Sequence, residues 1–253
     1  MRFLLLFLLL IGTSASLFAL VSIAPVDIGS SNGLSGNISG ALSSKSGNTE
    51  KDAYALGLRV QYDQGTDYLA WGIFTYDYGT SNGTKDEDKM YAHMRYIHAI
   101  DETKNWTGEF FVQSEQDKFK DINERSLAGV DLRWRFFNSA EGGKGYIAVG
   151  GLFEKIDYAH PDINAHETNS RLNSYLGYTK SFMSSSKLNY LGYYQPKFND
   201  YSNYVTSQTA ELIIPIYGTL NLSLSAKYSY DSTPPVGIKK EDTAYITSLL
   251  WTF

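Results

Sequence analysis

Nine charged residues fall on the polar phase of alternating segments: Arg59, Arg95, Glu109, Asp131, Arg133, Arg135, Glu154, Glu211 and Lys227. If the chain brings them into one enclosed interior, two kinds of chemistry are open to them. Rings of charge select ions in a pore. Oppositely charged side chains also pair, offset each other's desolvation and fill a narrow interior. Counted from the turns that flank them, Glu109 and Arg133 stand at similar heights on the paired fifth and sixth segments with Arg95 close by on the fourth, which predicts an inward cluster of Arg95, Glu109, Asp131 and Arg133. The cluster reads either as an ion-selective constriction or as a charge-paired plug. The near balance of signs gives no strong preference for anions or cations.

Other chemistries find less material. There is no cysteine, so disulfides, thiol nucleophiles, thiolate metal sites and lipid attachment through Cys are excluded. The histidines are His93, His98, His160 and His166. His93 is expected to face the interior and His98 to face lipid near an interface. Nucleophilic catalysis needs a Ser or Thr with a base in reach, and no Gly-x-Ser-x-Gly elbow is present. We therefore expect no enzyme. Acidic clusters at Asp86, Glu87 and Asp88, and at Asp157, His160, Asp162, His166 and Glu167, match no calcium-loop spacing and read as solvated loop tips. No metal or other cofactor is expected. A net charge of −5 leaves no basic footprint for nucleic acid.

These residues need elements to hold them, and the sequence supplies strands. Residues 219–230 show the pattern best. Leu220, Leu222, Leu224, Ala226, Tyr228 and Tyr230 alternate with Asn221, Ser223, Ser225, Lys227 and Ser229. Period two with one apolar face is a strand, and the phase assigns apolar to lipid and polar to an interior. The same reading predicts strands near 34–45, 52–63, 67–78, 88–100, 106–116, 124–136, 145–157, 168–182, 187–197, 204–214, 219–230 and 242–253. The second strand would show lipid Tyr54, Leu56, Leu58, Val60 and Tyr62. The sixth would show Ala128, Val130, Leu132, Trp134 and Phe136. The third and ninth carry aromatics on both phases and declare no facing.

The expected fold is all-β, a single antiparallel transmembrane β-barrel of twelve strands, with ten or fourteen as alternatives. An even number closes an antiparallel sheet and removes edges that lipid cannot satisfy. Composition agrees. Tyr and Phe number 20 and 13, as aromatic girdles at two lipid–water interfaces require. Mean hydropathy is −0.28, which argues against helical spans but not against alternating strands. Turn lengths predict short periplasmic connections and longer outer loops, the latter including 79–87, 117–123, 158–167 and 231–241. The turn Ser46-Gly47-Asn48-Thr49 is a tight exception.

The two ends of the chain carry export and assembly signals. Residues 1–19 hold one positive charge, an apolar core and small residues, and read as a cleaved signal peptide with the cut after Ala15 or Ala19. Residues 20–33 are expected to be an N-terminal periplasmic segment, and 34–253 the barrel. At the other end Tyr245, Leu249, Trp251 and Phe253 share one face, and the chain closes on Phe. That pattern reads as the signal by which a barrel-assembly machinery recognises its clients.

Several motifs resemble one family. They are Ser46-Gly47-Asn48-Thr49, Phe119-x-x-Ile122-x-x-Arg125-x-x-x-Gly129 and Tyr193-x-x-Pro196. The most specific is Tyr230-Asp231-Ser232-x-Pro234-Pro235-x-Gly237-Ile238-Lys239-x-x-Asp242-Thr243. Over roughly residues 34 to 253 the chain resembles the salt-induced outer-membrane proteins, a domain of unknown function widespread in Gram-negative bacteria. The resemblance implies an outer-membrane barrel and brings no substrate or mechanism. The expected localisation is the outer membrane of a Gram-negative bacterium. Expected partners are outer-membrane lipid and lipopolysaccharide, together with the assembly machinery. The functional expectation is a narrow channel for ions or small polar solutes. The alternative is a non-conducting structural or interaction barrel under osmotic or salt stress; a membrane lipolytic enzyme comes last.

Overall fold

The computed structural model describes residues 25–45, 51–159, 166–182 and 185–253. The expected signal peptide, the Ser46–Thr49 turn, His160 and Asp162 lie outside these residues. The described chain folds into twelve antiparallel strands that close into one barrel, each strand beside its sequence neighbours and β1 beside β12. They are β1 Gly33–Lys45, β2 Lys51–Asp63, β3 Tyr68–Ser81, β4 Thr84–Ala99, β5 Trp106–Asp117 and β6 Ile122–Ser139. Then follow β7 Gly143–Tyr158, β8 His166–Phe182, β9 Ser186–Lys197, β10 Asp200–Tyr217, β11 Leu220–Asp231 and β12 Glu241–Thr252. The expected twelve-strand, all-antiparallel architecture is therefore the observed one, and ten and fourteen strands are excluded.

Closure is made at the seam. There Asn37–Gly40 pair with Leu249–Thr252, and Gly36 and Phe253 exchange backbone hydrogen bonds of 2.9 and 3.0 Å. The C-terminal residue thus takes part in shutting the cylinder. Tyr245, Leu249, Trp251 and Phe253 all point outward.

The period-two phase sets the two surfaces. Leu56, Leu58, Val60, Val130, Leu132 and Phe153 are exposed on the outside. They form the apolar band that hydrocarbon requires. Aromatics gather toward the strand ends: Trp106 stacks on Trp134 at 5.6 Å at the end where the termini lie. Tyr204 stacks on Tyr230 at 5.5 Å at the opposite end. The inward faces carry the buried charges, interspersed with apolar side chains such as Ala55, Phe111, Leu152, Ile246 and Leu250. On β3 the inward face is apolar over its first half, with Leu69, Trp71 and Ile73 buried, and turns polar at Thr75 and Asp77, while the outward face carries Phe74, Tyr76 and Tyr78. That explains why this strand declared no facing: both of its sides are covered by apolar matter. On β9 the inward residues are Asn189, Leu191, Tyr193 and Gln195.

One connection corrects the expected loop pattern. The segment 79–87 is not a loop. β3 runs to Ser81, β4 starts at Thr84, and Asn82-Gly83 makes the turn with φ of 49° and 74°. Asn-Gly with two positive φ values is the two-residue hairpin turn whose twist matches its strands. The outer connections therefore do not run uniformly long. The 117–123 connection contains a 3-10 turn, Lys118–Lys120, capped by the Asp117 carboxylate.

Val130 sits near the middle of β6 on the lipid face. We expect Val130→Arg to destabilise the folded barrel by about 2–4 kcal/mol. Urea titration of the protein in lipid vesicles, read by its tryptophan emission, measures the loss.

Candidate functional site: the barrel lumen

All nine sequence-predicted interior charges lie on inward-facing positions. Arg59, Arg95, Glu109, Asp131, Arg133, Glu154 and Glu211 are buried, and Arg135 and Lys227 are half-buried. The lumen divides into two clusters of charge, one above the other.

The lower cluster centres on Glu109. Register pairing places Glu109 of β5 opposite Ile97 of β4 and Asp131 of β6. Its carboxylate takes Arg95 Nη1 at 2.6 Å and Arg133 Nη1 at 3.1 Å, one arginine on each oxygen. The Tyr175 hydroxyl, reaching from β8, donates to the same carboxylate at 3.0 Å. Arg133 also donates to Thr107 Oγ1. Of the four residues predicted to meet, three do so directly. Asp131 stands beside them but accepts two hydrogen bonds from Asn173 Nδ2, at 3.0 and 2.8 Å, rather than an arginine.

The upper cluster centres on Glu154, whose side chain is fully buried. It accepts from Arg125 Nη2 at 2.7 Å, from Arg171 Nε at 2.5 Å and from Asn169 at 3.0 Å. Lys89 and Glu115 pair nearby at 2.7 Å. The sequence reading named Glu154 and missed Arg125, Arg171, Lys89 and Glu115. The signal was present. Arg125 shares the parity of Asp131 and Arg133 on β6, and Arg171 shares that of Asn173 and Tyr175 on β8. Of the remaining predicted residues, Lys227 feels the charges of Lys89 and Glu115, and Arg135 pairs with Asp27. Arg59 lies over the Trp71 ring at 4.6 Å, and Glu211 accepts from Asn189 and Ser223.

The end of the lumen near the termini is occupied by the chain itself. Residues 25–32, read from sequence as part of a periplasmic segment, tuck inside the mouth. Ile28 is buried against Leu69, Trp71, Ile73 and Ile97. This contact accounts for the apolar inner face of β3. Asp27 is buried and pairs with Lys144 at 2.7 Å and Arg135 at 3.0 Å. The Val26 carbonyl accepts from Arg133 Nη2 at 3.2 Å. The turn that follows is anchored on Asp63, whose carboxylate accepts from the backbone N–H groups of Gly29, Ser31 and Gly65. Gly29 has φ +86°, and a Cβ there would lie 2.8 Å from the Gly65 carbonyl oxygen, so the turn needs glycine. Burial pushes the Asp27 carboxyl up. The hydrogen bond and charge of Lys144, then Arg135 and Arg133, outweigh this and hold it below its usual value of 3.8.

Toward the loop end the lumen opens into a cavity of about 350 Å³, reaching from Trp71, His93 and Arg95 up to the 232–240 connection. Below its floor lies a void of only about 10 Å³, bounded by Pro25, Glu109, Arg133 and Tyr175. Trp71, Arg95 and Tyr193 line both spaces. The barrier between vestibule and lower lumen is therefore one layer of side chains thick.

A closed antiparallel barrel with an apolar skin, aromatic ends and a charged interior is the architecture of bacterial outer-membrane proteins, and the fold places the chain in that class. Residues 38–253 match the family described as "Protein of unknown function, DUF481", and the chain belongs to it. Among solved structures it is similar to the translocator domain of autotransporter NalP from Neisseria meningitidis, at 11% identity and a TM-score of 0.45, with 88% of each chain covered. It is also similar to the NanC porin, at 15% identity and a TM-score of 0.46, covering 87% of this chain and 97% of that one. None of the curated proteins compared with the chain matches it.

Two outcomes follow from the lower lumen. Glu109→Ala leaves Arg95 and Arg133 buried without their carboxylate and should cost about 3–5 kcal/mol of stability, measured by the same urea titration. The second concerns pH. The folded-state value of Asp27 lies below 3.8, so its contribution to docking of 25–32 is complete above that pH and is lost as pH falls through the lower folded value. Trp71, packed on Ile28, should shift its emission to the red in that acid range while the strand circular dichroism holds. Asp27→Asn should show the shifted emission already at neutral pH; an emission unchanged in both would remove the docking argument.

Proposed function

We propose that the protein resides in the outer membrane as a narrow channel for ions or small polar solutes, shut in the conformation described. The observation that supports this most is the vestibule. A cavity of about 350 Å³ that reaches the 232–240 connection stops at a single side-chain layer, and the segment beneath it is no part of the wall. Residues 25–32 are held by side-chain ion pairs, a small apolar contact and the Asp63 turn, not by a strand ladder. Such contacts can release without opening the barrel. Solute would then pass the charges of the Glu109 and Glu154 clusters.

A second reading has its own support. Each of those carboxylates binds two arginines, as would suit a permanently filled interior that stiffens a non-conducting barrel. Such a barrel would serve the envelope under osmotic or salt stress through its outer surface. On either reading the outward band meets lipid and lipopolysaccharide. The outward Tyr245, Leu249, Trp251 and Phe253 would be the face presented to the assembly machinery before closure. A lipolytic role has little support: the side-chain hydrogen bond of His93 goes to Gln113, not to a hydroxyl nucleophile.

Purified protein in planar bilayers tests the channel. Wild type should show rare conductance steps, and Asp27→Ala should open at least several times more often. Glu109→Gln, which retains the shape of the side chain, should alter the size of the step. Silence of all three proteins at every voltage and salt leaves the structural reading.

A further inference from the structure

The β3–β4 hairpin holds a buried carboxyl group that the wall does not neutralise. Glu87 is 6% exposed, and neither of its carboxyl oxygens has a hydrogen-bond partner among the described residues. A bulge sets its position. Gly79 pairs with Glu87 and Thr80 with Lys85, so Asp86 is the extra residue. Glu87 shares the inward parity of Lys89, while Asp88 points outward to Lys85 and Lys118.

The groups around it are mostly acids. Register pairs Lys89 with Asp77 of β3 and with Asp117 of β5. Both carboxylates are therefore diagonal neighbours of Glu87 on the inward face, about 7–8 Å away, and both are buried. Asp86 stands next to it in the chain. The cations that reach this corner have other oxygens to hold. Lys51 of β2 pairs with Asp86 at 2.9 Å, and Lys89 pairs with Glu115 at 2.7 Å and with Asp117 at 3.4 Å. Among the described residues no three acidic or histidine side chains converge as a site for a metal ion. An ionised carboxylate without a donor costs far more in such a place than the neutral acid, so the partner that relieves it is a proton.

The corner lies at the outer mouth. Gly79, the register partner of Glu87, comes one residue after Tyr78, the last outward aromatic of β3, which stacks on Tyr54 of β2 at 5.2 Å. Burial, then the charge of Asp77, push the Glu87 carboxyl up to about 8; Lys51 opposes them, and Asp86 and Asp117 add to them.

We propose that Glu87 is a proton-operated latch on the tip of the β3–β4 hairpin. Protonated, it stays buried and the tip stays zipped. Ionised, it gives its proton to solvent, moves out toward water and opens the tip. The tip is built to yield: beyond the bulge it has the pairs Thr80–Lys85 and Ser81–Thr84, closed by the Asn82-Gly83 turn. The folded-state value lies above the ordinary 4.5, so the contribution of the latch is complete below 4.5 and is lost as pH rises through about 8. The latch neither requires conduction nor excludes it.

The chain has no cysteine, so Ser81→Cys gives a single site for a nitroxide label at the tip. The whole protein in detergent is titrated between about pH 6 and pH 9. Label mobility is read by spin resonance, and the protonated-carboxyl stretch is followed in the infrared. Mobility should rise and the carboxyl band should fall together, with a midpoint of about 8. Glu87→Gln, which keeps the neutral shape, should remove that band and hold the label immobile throughout. Asp77→Asn, which removes a buried like charge, should lower the midpoint by about one pH unit; a Glu87 that only filled space would show no midpoint to move. An immobile label across the range, a rise that persists in Glu87→Gln, or a midpoint unmoved by Asp77→Asn overturns the proposal. If Glu87→Gln fails to fold, the wild-type band and the Asp77→Asn midpoint decide it.

Discussion

A strand in hydrocarbon has no water to satisfy its backbone, so the sheet must close on itself. Everything else in this protein follows from that constraint. Closure turns alternation into two surfaces, because each strand gives one residue in two to lipid and the next to an interior. Twelve strands enclose a space of side-chain dimensions. Charges placed there leave bulk water and must be neutralised where they stand.

The wall alone does not neutralise them evenly. Around the lower lumen it contributes Arg95, Arg133, Arg135 and Lys144. Glu109 is the carboxylate that takes arginines, while Asp131 is occupied by Asn173. The deficit is met from outside the wall: Asp27 takes Arg135 and Lys144, and the Val26 carbonyl takes Arg133. Residues 25–32 are therefore part of the interior's charge balance as well as a physical stopper. Ile28 adds the apolar share, and β3 is apolar on its inner face to receive it. Above this level the balance is internal to the wall, with Glu154 holding Arg125 and Arg171.

The strands were legible in the sequence because period two, turn chemistry and length agree over most segments. The lipid faces of β2 and β6 follow directly from alternation. β3 was illegible because its inner face packs on a segment that no periodicity connects to it. The 82–83 turn was missed for another reason: polar residues between 79 and 87 read as a loop, although Asn82-Gly83 carries the hairpin chemistry. In the site, parity placed each named charge on the inward side. Parity could not choose partners. Glu109, Arg95 and Arg133 meet, whereas Asp131 at the same height takes an amide, because Asn173 crosses from β8, 42 residues away in sequence. The docking of Asp27 spans 117 residues to Lys144 and has no local signal at all.

A lumen evolved only as filler would be expected to satisfy its own polar groups, since each one left bare weakens the fold without return. The lower lumen meets that standard at Glu109, where two arginines and a tyrosine converge, and at Asp131, whose two oxygens both accept from Asn173. The vestibule floor does not, with bare atoms on Trp71, His93 and Arg95. Arg95 belongs to both regions: its Nη1 is committed to Glu109 below, while its Nε is left over at the layer that bounds the vestibule. The same guanidinium anchors Glu109, and that carboxylate holds Arg133, which donates to the Val26 carbonyl. The layer that bounds the vestibule and the segment that fills the opposite mouth are thus joined by three consecutive contacts.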